Sequence, residues 1–180
     1  MTESALEIRV RRLESDDDRT VFCSGDIDLD RFFQRFAGQK QFRHHIGTTY
    51  VAVLGERIVG YATVSAGEMS AESLPPLLRR RLPSYPLPVM RLARLAVDKS
   101  FQGRGIGKLL LRAILILALE IRDRVGCVGV VVDSKPWPVD FYQKLGFTAL
   151  EVVSGMLGDR PEPRTMFLPM SHVAAAANRR

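Results

Sequence analysis

Apolar and polar residues follow one another along the chain in patterns that predict strands and helices in turn. Alternating or continuous β-rich runs predict strands at residues 7–13, 48–54, 57–65, 89–98 and 128–133. Three- and four-residue apolar spacing predicts helices at residues 26–40, 105–124 and 139–145. Gly55 and Glu56 separate two of the strands and predict a hairpin. Residues 147–153 and 165–168 are suited to a final antiparallel pair.

The order of these elements predicts an α/β or α+β fold with a mixed, partly parallel sheet, because strands at both ends flank a strand–helix–strand–helix centre. Residues 128–133 are β-branched without alternation, which is typical of a strand buried on both faces. Residues 68–88 contain five prolines and predict a loop or a short helix. We expect one domain over residues 1–170 and a flexible tail over residues 171–180.

Composition narrows the class of protein. The 180 residues are 46% hydrophobic and 26% charged, which is typical of a globular domain, and the net charge is +6. The basic excess lies beyond residue 40, so a polyanionic partner is plausible. Cys23 and Cys127 fit neither a disulfide framework nor a metal spacing. With no signal peptide and no membrane-length apolar run, we expect a cytoplasmic protein without a metal ion or a membrane anchor.

Three glycines stand between a predicted strand and the longest predicted helix. Gly103, Gly105 and Gly107 permit close backbone approach, and the N-terminus of a helix favours an anion. Arg104 and Lys108 add two cations, so a pyrophosphate is the natural occupant. The spacing fits neither the dinucleotide fingerprint nor the Walker loop and leaves Q-x-x-G-x-G. The structural alternative is a tight glycine turn that serves helix packing.

Two segments carry a resemblance to a known family. Gln102–Lys108 matches the acetyl-CoA pyrophosphate loop of the GNAT acetyltransferase superfamily, and Ser134–Phe147, ending F-Y-Q-K-L-G-F, matches its helix signature. The chain resembles this superfamily over residues 8–168. The resemblance implies a mostly antiparallel sheet with splayed parallel central strands and about four helices. It also implies that acetyl-CoA is bound by Leu95, Ala96, Val97, Gln102, Gly103, Arg104, Gly105, Ile106, Gly107 and Lys108.

The same resemblance implies that Tyr142 is the general acid that protonates the departing CoA thiolate. A phenol with a pKa of ~10 stays protonated at neutral pH and suits a thiolate leaving group. The alternative is that Phe141 and Tyr142 are an aromatic pair packing against Phe147, although Phe141 could satisfy that packing alone. Two prolines, at 136 and 138, flank Trp137 and depart from the family pattern at the start of this helix.

Within the superfamily the chain is most similar to toxins of toxin–antitoxin modules, which acetylate the α-amine of aminoacyl-tRNA. The matching segments are residues 22–25, 29–30, 49–51, 59–61, 88–90 and 94–98. The resemblance implies a translation-blocking toxin, a homodimer and an antitoxin with a ribbon-helix-helix DNA-binding domain. A GNAT enzyme for small-molecule or protein amines, and a non-catalytic acetyl-CoA or nucleic-acid binding module, remain alternatives.

Two groups of charged residues bear on the acceptor. The candidate bases Glu68, Asp98 and Asp133 have no second acid or histidine beside them. This mildly favours an α-amine as the acceptor, because an amine with a pKa of ~7.7–8 hardly requires a base.

The resemblance implies that tRNA phosphates contact basic residues, for which the candidates are Arg79, Arg80, Arg81, Arg91 and Arg94. A solvated arginine cluster is the alternative. No aromatic residues interleaved with basic ones are evident to strengthen an RNA platform.

Overall fold

The computed structural model describes residues 7–134, 138–150 and 164–178. Its strands are β1 Ile8–Arg12, β2 Thr48–Leu54, β3 Arg57–Met69, β4 Leu87–Val97, β5 Gly129–Ser134, β6 Thr148–Ala149 and β7 Arg164–Pro169. Its α-helices are α1 Ile27–Arg31, α2 Pro76–Arg79, α3 Ile106–Arg124, α4 Val139–Lys144 and α5 Met170–Ala177. Two π-helical turns, Phe32–Phe36 and Gln39–Arg43, follow α1, and 3₁₀ turns cover Ala71–Ser73 and Lys99–Phe101.

The strands form one mixed sheet in the order β1-β2-β3-β4-β5-β7-β6. The β1–β2, β2–β3, β5–β7 and β6–β7 pairs are antiparallel, and β4 pairs with β5 in parallel. The parallel ladder joins Met90–Leu92 to residues 130–132, whereas β4 runs on to Val97. The predicted mixed sheet with diverging parallel central strands is confirmed.

The chain forms two compact units, residues 1–65 with 93–114 and residues 66–92 with 115–180. Each has a hydrophobic core of its own. The first core is built around Tyr61, whose ring stacks on Phe33 at 4.3 Å between centroids and meets Phe22 edge-on at 5.4 Å. The Tyr61 hydroxyl donates a hydrogen bond to the carbonyl of Leu29 at 2.8 Å, which ties α1 to β3.

The helical segment of residues 27–43 is longer than its predicted range and is partly π-helical. Asp26 caps it by accepting hydrogen bonds from the N–H groups of Asp28 and Leu29. Its inner side repeats every four residues through the buried Phe33, Ala37 and Gln41. The wider π-helical turn brings these positions onto one side.

The second core packs β4, β5 and β7 against the segment of residues 69–82. Gly129 is required in β5 because an added Cβ would meet the ring of Phe167 and would lie 2.5 Å from the carbonyl oxygen of Leu168. Residues 171–177, which the sequence predicts as the start of a flexible tail, instead form most of α5. Val173 and Ala177 are buried there, because the apolar residues of this short helix pack onto the second unit.

Candidate functional site

The glycine-rich loop after β4 adopts the conformation that its sequence predicts. Gly103 and Gly105 have φ of +77° and +80°, a backbone region that residues with a Cβ rarely adopt. The first hydrogen bond at the start of α3 runs from the N–H of Leu109 to the carbonyl of Gly105 at 3.0 Å. An α-helix leaves its first N–H groups without helical acceptors, so the amides that follow Gly105 are available to an anion.

Gln102 holds this loop in place. Its side-chain amide donates to the carbonyl of Val97 at 3.1 Å and to the carbonyl of Ser24 at 2.9 Å. The loop is thereby tied to the end of β4 and to the segment that precedes α1. These two hydrogen bonds hold the loop in its observed conformation.

Asp98 is the second anchor of the loop. Its side chain is only 3% exposed, accepts from the N–H of Ser100 at 2.9 Å and lies 3.6 Å from the guanidinium of Arg57. Its own N–H donates to the carbonyl of Val59 at 2.9 Å, which fixes the end of β4 to β3. These contacts assign Asp98 a structural role rather than that of a base.

Gly60 lets the first turn of α3 approach the sheet. A Cβ at this position would lie 2.9 Å from Cδ1 of Leu110 and 3.0 Å from Cγ2 of Ile106. Ile106 and Leu110 are fully buried. The close approach fixes the N-terminus of α3, and with it the amides that face the loop.

Cationic side chains surround the loop. The guanidinium of Arg104 lies 5.1 Å from the centroid of Phe101, and that of Arg57 lies 4.9 Å from the same ring. Lys108 is exposed on the first turn of α3. Sequence reasoning missed Arg57, because it comes from a hairpin 47 positions before Arg104.

The last residues of β4 extend beyond the parallel ladder. Within the described residues, the last β4–β5 pair is Leu92 with Val132, and Leu95, Ala96 and Val97 lie past it. The carbonyl of Val97 accepts from Gln102, and β3 borders the other edge of β4, so the groups left for a ligand are those past the ladder on the β5 side. An extended ligand with amide groups, such as the pantetheine arm of CoA, can pair with these groups.

Tyr142 lies in α4 and is buried. Its ring meets Phe147 edge-on at 5.5 Å and Phe141 at 5.2 Å, while Phe141 itself is half-buried. Tyr142 therefore contacts Phe147 itself, so it is not free of packing as the sequence argument supposed. Burial raises the pKa of Tyr142 above its usual value, which keeps the phenol protonated. Pro136 and Trp137 lie outside the described residues.

The predicted arginine set separates into two kinds. Arg79 ends α2, and Arg80 and Arg81 follow it, all three exposed. Arg91 instead pairs with Asp133 at 2.6 Å. Arg94 places its guanidinium 3.8 Å from the ring centroid of Phe32.

The other candidate bases are not poised for proton transfer. Asp133 pairs with Arg91 and accepts a hydrogen bond from the hydroxyl of Thr165 at 2.9 Å. Glu68 is exposed near the end of β3. None of the three candidate bases named from the sequence is therefore poised for proton transfer.

A pocket of about 80 Å³ opens beside the part of β4 that follows the ladder. The hydroxyls of Thr49 and Thr63 share a hydrogen bond of 2.8 Å in its wall. Its lining contains two cations and no acid, and consists of Phe32, Ala37, Lys40, Ile46, Gly47, Thr49, Thr63, Ser65, Ala93 and Arg94. The pocket favours a small group that is neutral or negatively charged.

The described residues contain neither a metal-binding cluster nor a membrane-spanning helix. No group of three or more His, Cys, Asp or Glu side chains among them could hold a metal ion. In the same residues, no helix has the length and apolar character needed to cross a membrane. Both cysteines, Cys23 and Cys127, are free thiols.

Comparison with known proteins gives the family. The domain described as "Acetyltransferase (GNAT) domain" matches residues 45–149, more than half of the chain. The chain belongs to the GNAT acetyltransferase family. This GNAT protein is an acetyl-CoA-dependent N-acetyltransferase, and the alternative of a non-catalytic binding module is set aside.

Individual relatives of this GNAT protein are toxins. The "tRNA-acetylating toxin" of Mycobacterium tuberculosis (strain ATCC 25618 / H37Rv) is 33% identical over 127 residues, which are 69% of this chain and 74% of the relative. This match places the GNAT protein in the toxin branch of its family.

Two solved structures share the fold of this GNAT protein. AtaT complexed with acetyl-methionyl-tRNAfMet has a TM-score of 0.81 at 23% identity and covers 94% of this chain and 98% of its own. A Tyr-to-Phe variant of AtaT, bound to the C-terminus of the antitoxin AtaR and acetyl-CoA, has a TM-score of 0.74 at 21% identity, with 96% and 99% covered.

Proposed function

We propose that this GNAT enzyme transfers the acetyl group of acetyl-CoA to the α-amine of aminoacyl-tRNA and thereby blocks translation, as the toxin of a toxin–antitoxin pair. The observation that carries the proposal is the 33% identity with a tRNA-acetylating toxin over 69% of the chain. The site is compatible with it, because it offers an anion loop, a strand end that runs past the parallel ladder and, among the described residues, no evident base.

The donor would be held by backbone groups more than by side chains. The amides after Gly105 would bind the pyrophosphate, with Arg104 and Lys108 adding charge. The backbone of β4 at residues 95–97 would pair with the pantetheine arm. A backbone N–H there would also stabilise the oxyanion that forms when the thioester is attacked.

Acetyl transfer forms one bond and breaks another. The amine lone pair attacks the thioester carbonyl, the new C–N bond forms, and the C–S bond breaks with its electron pair on sulfur. Tyr142 would donate its proton to that sulfur and become a phenolate. The neutral amine loses one proton on forming the amide, and solvent carries a proton back to the phenolate. Because burial raises the pKa of Tyr142, the phenol keeps its proton until the thiolate leaves.

The lack of a poised base supports an α-amine as the acceptor. An α-amine has a pKa of ~7.7–8 and is partly neutral at physiological pH, whereas a lysine amine has a pKa of ~10.4 and must first lose a proton. Asp98 and Asp133 are engaged in structural contacts. An enzyme without a poised base therefore suits the more acidic amine.

The remaining assignments extend the same proposal. The exposed Arg79, Arg80 and Arg81 would contact tRNA phosphates, a binding mode that does not depend on sequence. Arg91 and Arg94 would contribute less, because each already has a partner in the protein. We further propose a cytoplasmic homodimer and an antitoxin with a ribbon-helix-helix domain.

Cell-free translation tests the biological side of the proposal. Addition of the protein together with acetyl-CoA should stop protein synthesis, whereas addition of the protein with free CoA should not. Tyr142→Phe should leave synthesis running in the presence of acetyl-CoA. Translation that continues at the normal rate with the wild-type protein and acetyl-CoA would contradict the toxin function.

A further inference from the structure

We infer that Arg57, together with Arg104, binds the 3′-phosphate of CoA and makes the enzyme select CoA over its 3′-dephospho form. Arg57 is the new element of this site, because it comes from the β2–β3 hairpin and not from the glycine-rich loop. The inference deepens the donor-binding part of the proposed function and rests on it. Both arginines belong to the first compact unit.

One aromatic ring brings the two guanidinium groups together. The guanidinium carbon of Arg57 lies 4.9 Å from the ring centroid of Phe101, and that of Arg104 lies 5.1 Å from the same centroid. The two guanidinium carbons are therefore no more than about 10 Å apart, although the residues are 47 positions apart in the sequence. The face of an aromatic ring attracts cations, so Phe101 holds both groups near one point of the surface.

The backbone fixes the position of this ring and of Arg57. Phe101 ends a 3₁₀ turn in which its N–H donates to the carbonyl of Asp98 at 2.8 Å. Arg57 is the first residue of β3, and the N–H of Asp98 donates to the carbonyl of Val59 in the same strand at 2.9 Å. The start of β3 and the turn before the loop are thus joined through Asp98, so little order has to be gained when a ligand binds.

Both guanidinium groups still have donors to offer. Among the described residues, the charged partner of Arg57 is Asp98, and Nη2 of Arg57 lies 3.6 Å from Oδ2 of Asp98, which is longer than a hydrogen bond. The side chain of Arg57 is 48% exposed, and Arg104 is exposed as well. A guanidinium group presents a planar fork of N–H donors that matches the oxygens of a phosphate. The two arginines can therefore bind a phosphate group without giving up the contact with Phe101.

The cations around the loop exceed the need of a pyrophosphate. Residues 99–108 contain Lys99, Arg104 and Lys108 and no acid, and Arg57 adds a further cation from outside this segment. The amides that follow Gly105 already serve the pyrophosphate in the proposed function. The additional positive charge calls for a second anionic group on the same ligand.

The 3′-phosphate of CoA is such a group. It is a phosphate monoester with a charge of about −1.5 to −2 at neutral pH, and a single ribose separates it from the pyrophosphate. Arg104 immediately precedes Gly105, so a pyrophosphate on the amides after Gly105 would bring the 3′-phosphate within reach of Arg104 and of the neighbouring Arg57. Charge-assisted hydrogen bonds from guanidinium groups to phosphate are among the strong ones in proteins.

Isothermal titration calorimetry with CoA and with 3′-dephospho-CoA tests the inference. A hydrogen bond to a charged group contributes roughly tenfold or more in affinity, so the wild-type protein should bind CoA at least about tenfold more tightly than 3′-dephospho-CoA. In Arg57→Gln this ratio should fall to about three or below, because only Arg104 remains at the phosphate. The affinity for 3′-dephospho-CoA itself should change little.

Arg12→Gln is the matched control. Arg12 is an exposed arginine of β1 and pairs with Tyr50, at the end of the β1–β2 ladder opposite to the hairpin turn. The variant removes the same charge and should keep the wild-type ratio. Both ligands are titrated into the same protein sample, so a loosened loop or partial unfolding lowers both affinities and leaves their ratio unchanged.

Two results would overturn the inference: equal affinity of the wild-type protein for both ligands, or a wild-type ratio in Arg57→Gln. An equal loss of affinity for both ligands in Arg57→Gln is a case of the second result and would return Arg57 to the pyrophosphate or to the packing of the loop. Failure of the proposed function is seen separately, as the absence of acetylation of charged tRNA, because CoA binding is measured without an acceptor.

Discussion

The hydroxyl of Tyr142 is the single group on which the proposed chemistry depends most. Its ring also packs against Phe147, so in the proposed mechanism the same side chain would serve both the core and the reaction. The aromatic ring is enough for the packing, whereas proton transfer requires the oxygen. Removal of the oxygen alone therefore separates the two roles.

Tyr142→Phe should lower kcat about 100-fold or more, which is the usual contribution of a general acid. The KM for acetyl-CoA should change little, because the hydroxyl is not proposed to bind the donor. Tyr85→Phe, in which the ring is exposed, is the control and should retain full activity. Steady-state kinetics with both variants provide the measurement. A kcat close to the wild-type value in Tyr142→Phe would return Tyr142 to a packing role.

The pH dependence of kcat tests the protonation state of the same group. Burial raises the pKa of Tyr142, so the phenol remains an acid as the pH rises through the range in which an exposed tyrosine, with a pKa of ~10, begins to ionise. We expect no decline of kcat between about pH 7 and pH 9.5. A decline in this range that is missing from the residual activity of Tyr142→Phe would show that Tyr142 ionises early.

At the scale of elements, the proposed donor site depends on the turn between β4 and α3. Gly105 has a positive φ, and an added Cβ would have no atom within 4 Å. Substitution there strains the backbone without a clash. The strain falls on the loop that shapes the anion site.

Gly105→Ala should raise the KM for acetyl-CoA about tenfold, because the left-handed conformation costs roughly 1–2 kcal/mol. The KM for acetyl-pantetheine, which lacks the pyrophosphate, should change much less. Gly126→Ala is a matched control with φ of +106° and open space around the added Cβ. It should affect stability but not the KM. An equal rise of the KM for both donors in Gly105→Ala would mean that the loop does not bind the pyrophosphate.

Elements with strong local signals could be predicted from the sequence. The β2–β3 hairpin turns at Gly55 with φ of +63°, and α3 and the glycine-rich loop follow from apolar spacing and glycine placement. The helical segment, in contrast, was predicted to end at Lys40 and runs on to Arg43. Gln41 binds Leu13, 28 positions away, and no local pattern contains that contact.

The backbone features of the candidate site could be predicted from the sequence, whereas the packing of its side chains could not. Which ring of the Phe141–Tyr142 pair packs on Phe147 depends on how α4 is rotated, and the structure gives that contact to Tyr142.

At the scale of the whole molecule, the net charge of +6 is not evidence for RNA by itself. Arg91 is neutralised by Asp133, and Arg94 stacks on Phe32. In the proposed function the loop cations Arg104 and Lys108 bind the donor, so the exposed run Arg79–Arg81 is what bears on RNA.

Replacement of Arg79, Arg80 and Arg81 by glutamine should weaken tRNA binding and reduce its salt dependence. Each lost phosphate contact lowers the slope of log K against log salt by ~0.7–0.9, so three contacts should lower it by about 2–3. The control replaces Arg9, Arg112 and Arg124, which are also exposed, and removes the same charge. The measurement is the tRNA affinity of each triple variant as a function of salt concentration. An equal reduction in both triple variants would show an effect of bulk charge alone.

Mass spectrometry of the aminoacyl end of charged tRNA tests the central claim most directly. Total charged tRNA is incubated with the protein and acetyl-CoA, and nuclease then releases the aminoacyl-adenosines. The account predicts a single acetyl group on the α-amine of one or more aminoacyl groups, absent with Tyr142→Phe and without acetyl-CoA. Unmodified aminoacyl groups on every tRNA, while the enzyme acetylates small-molecule or protein amines, would contradict it.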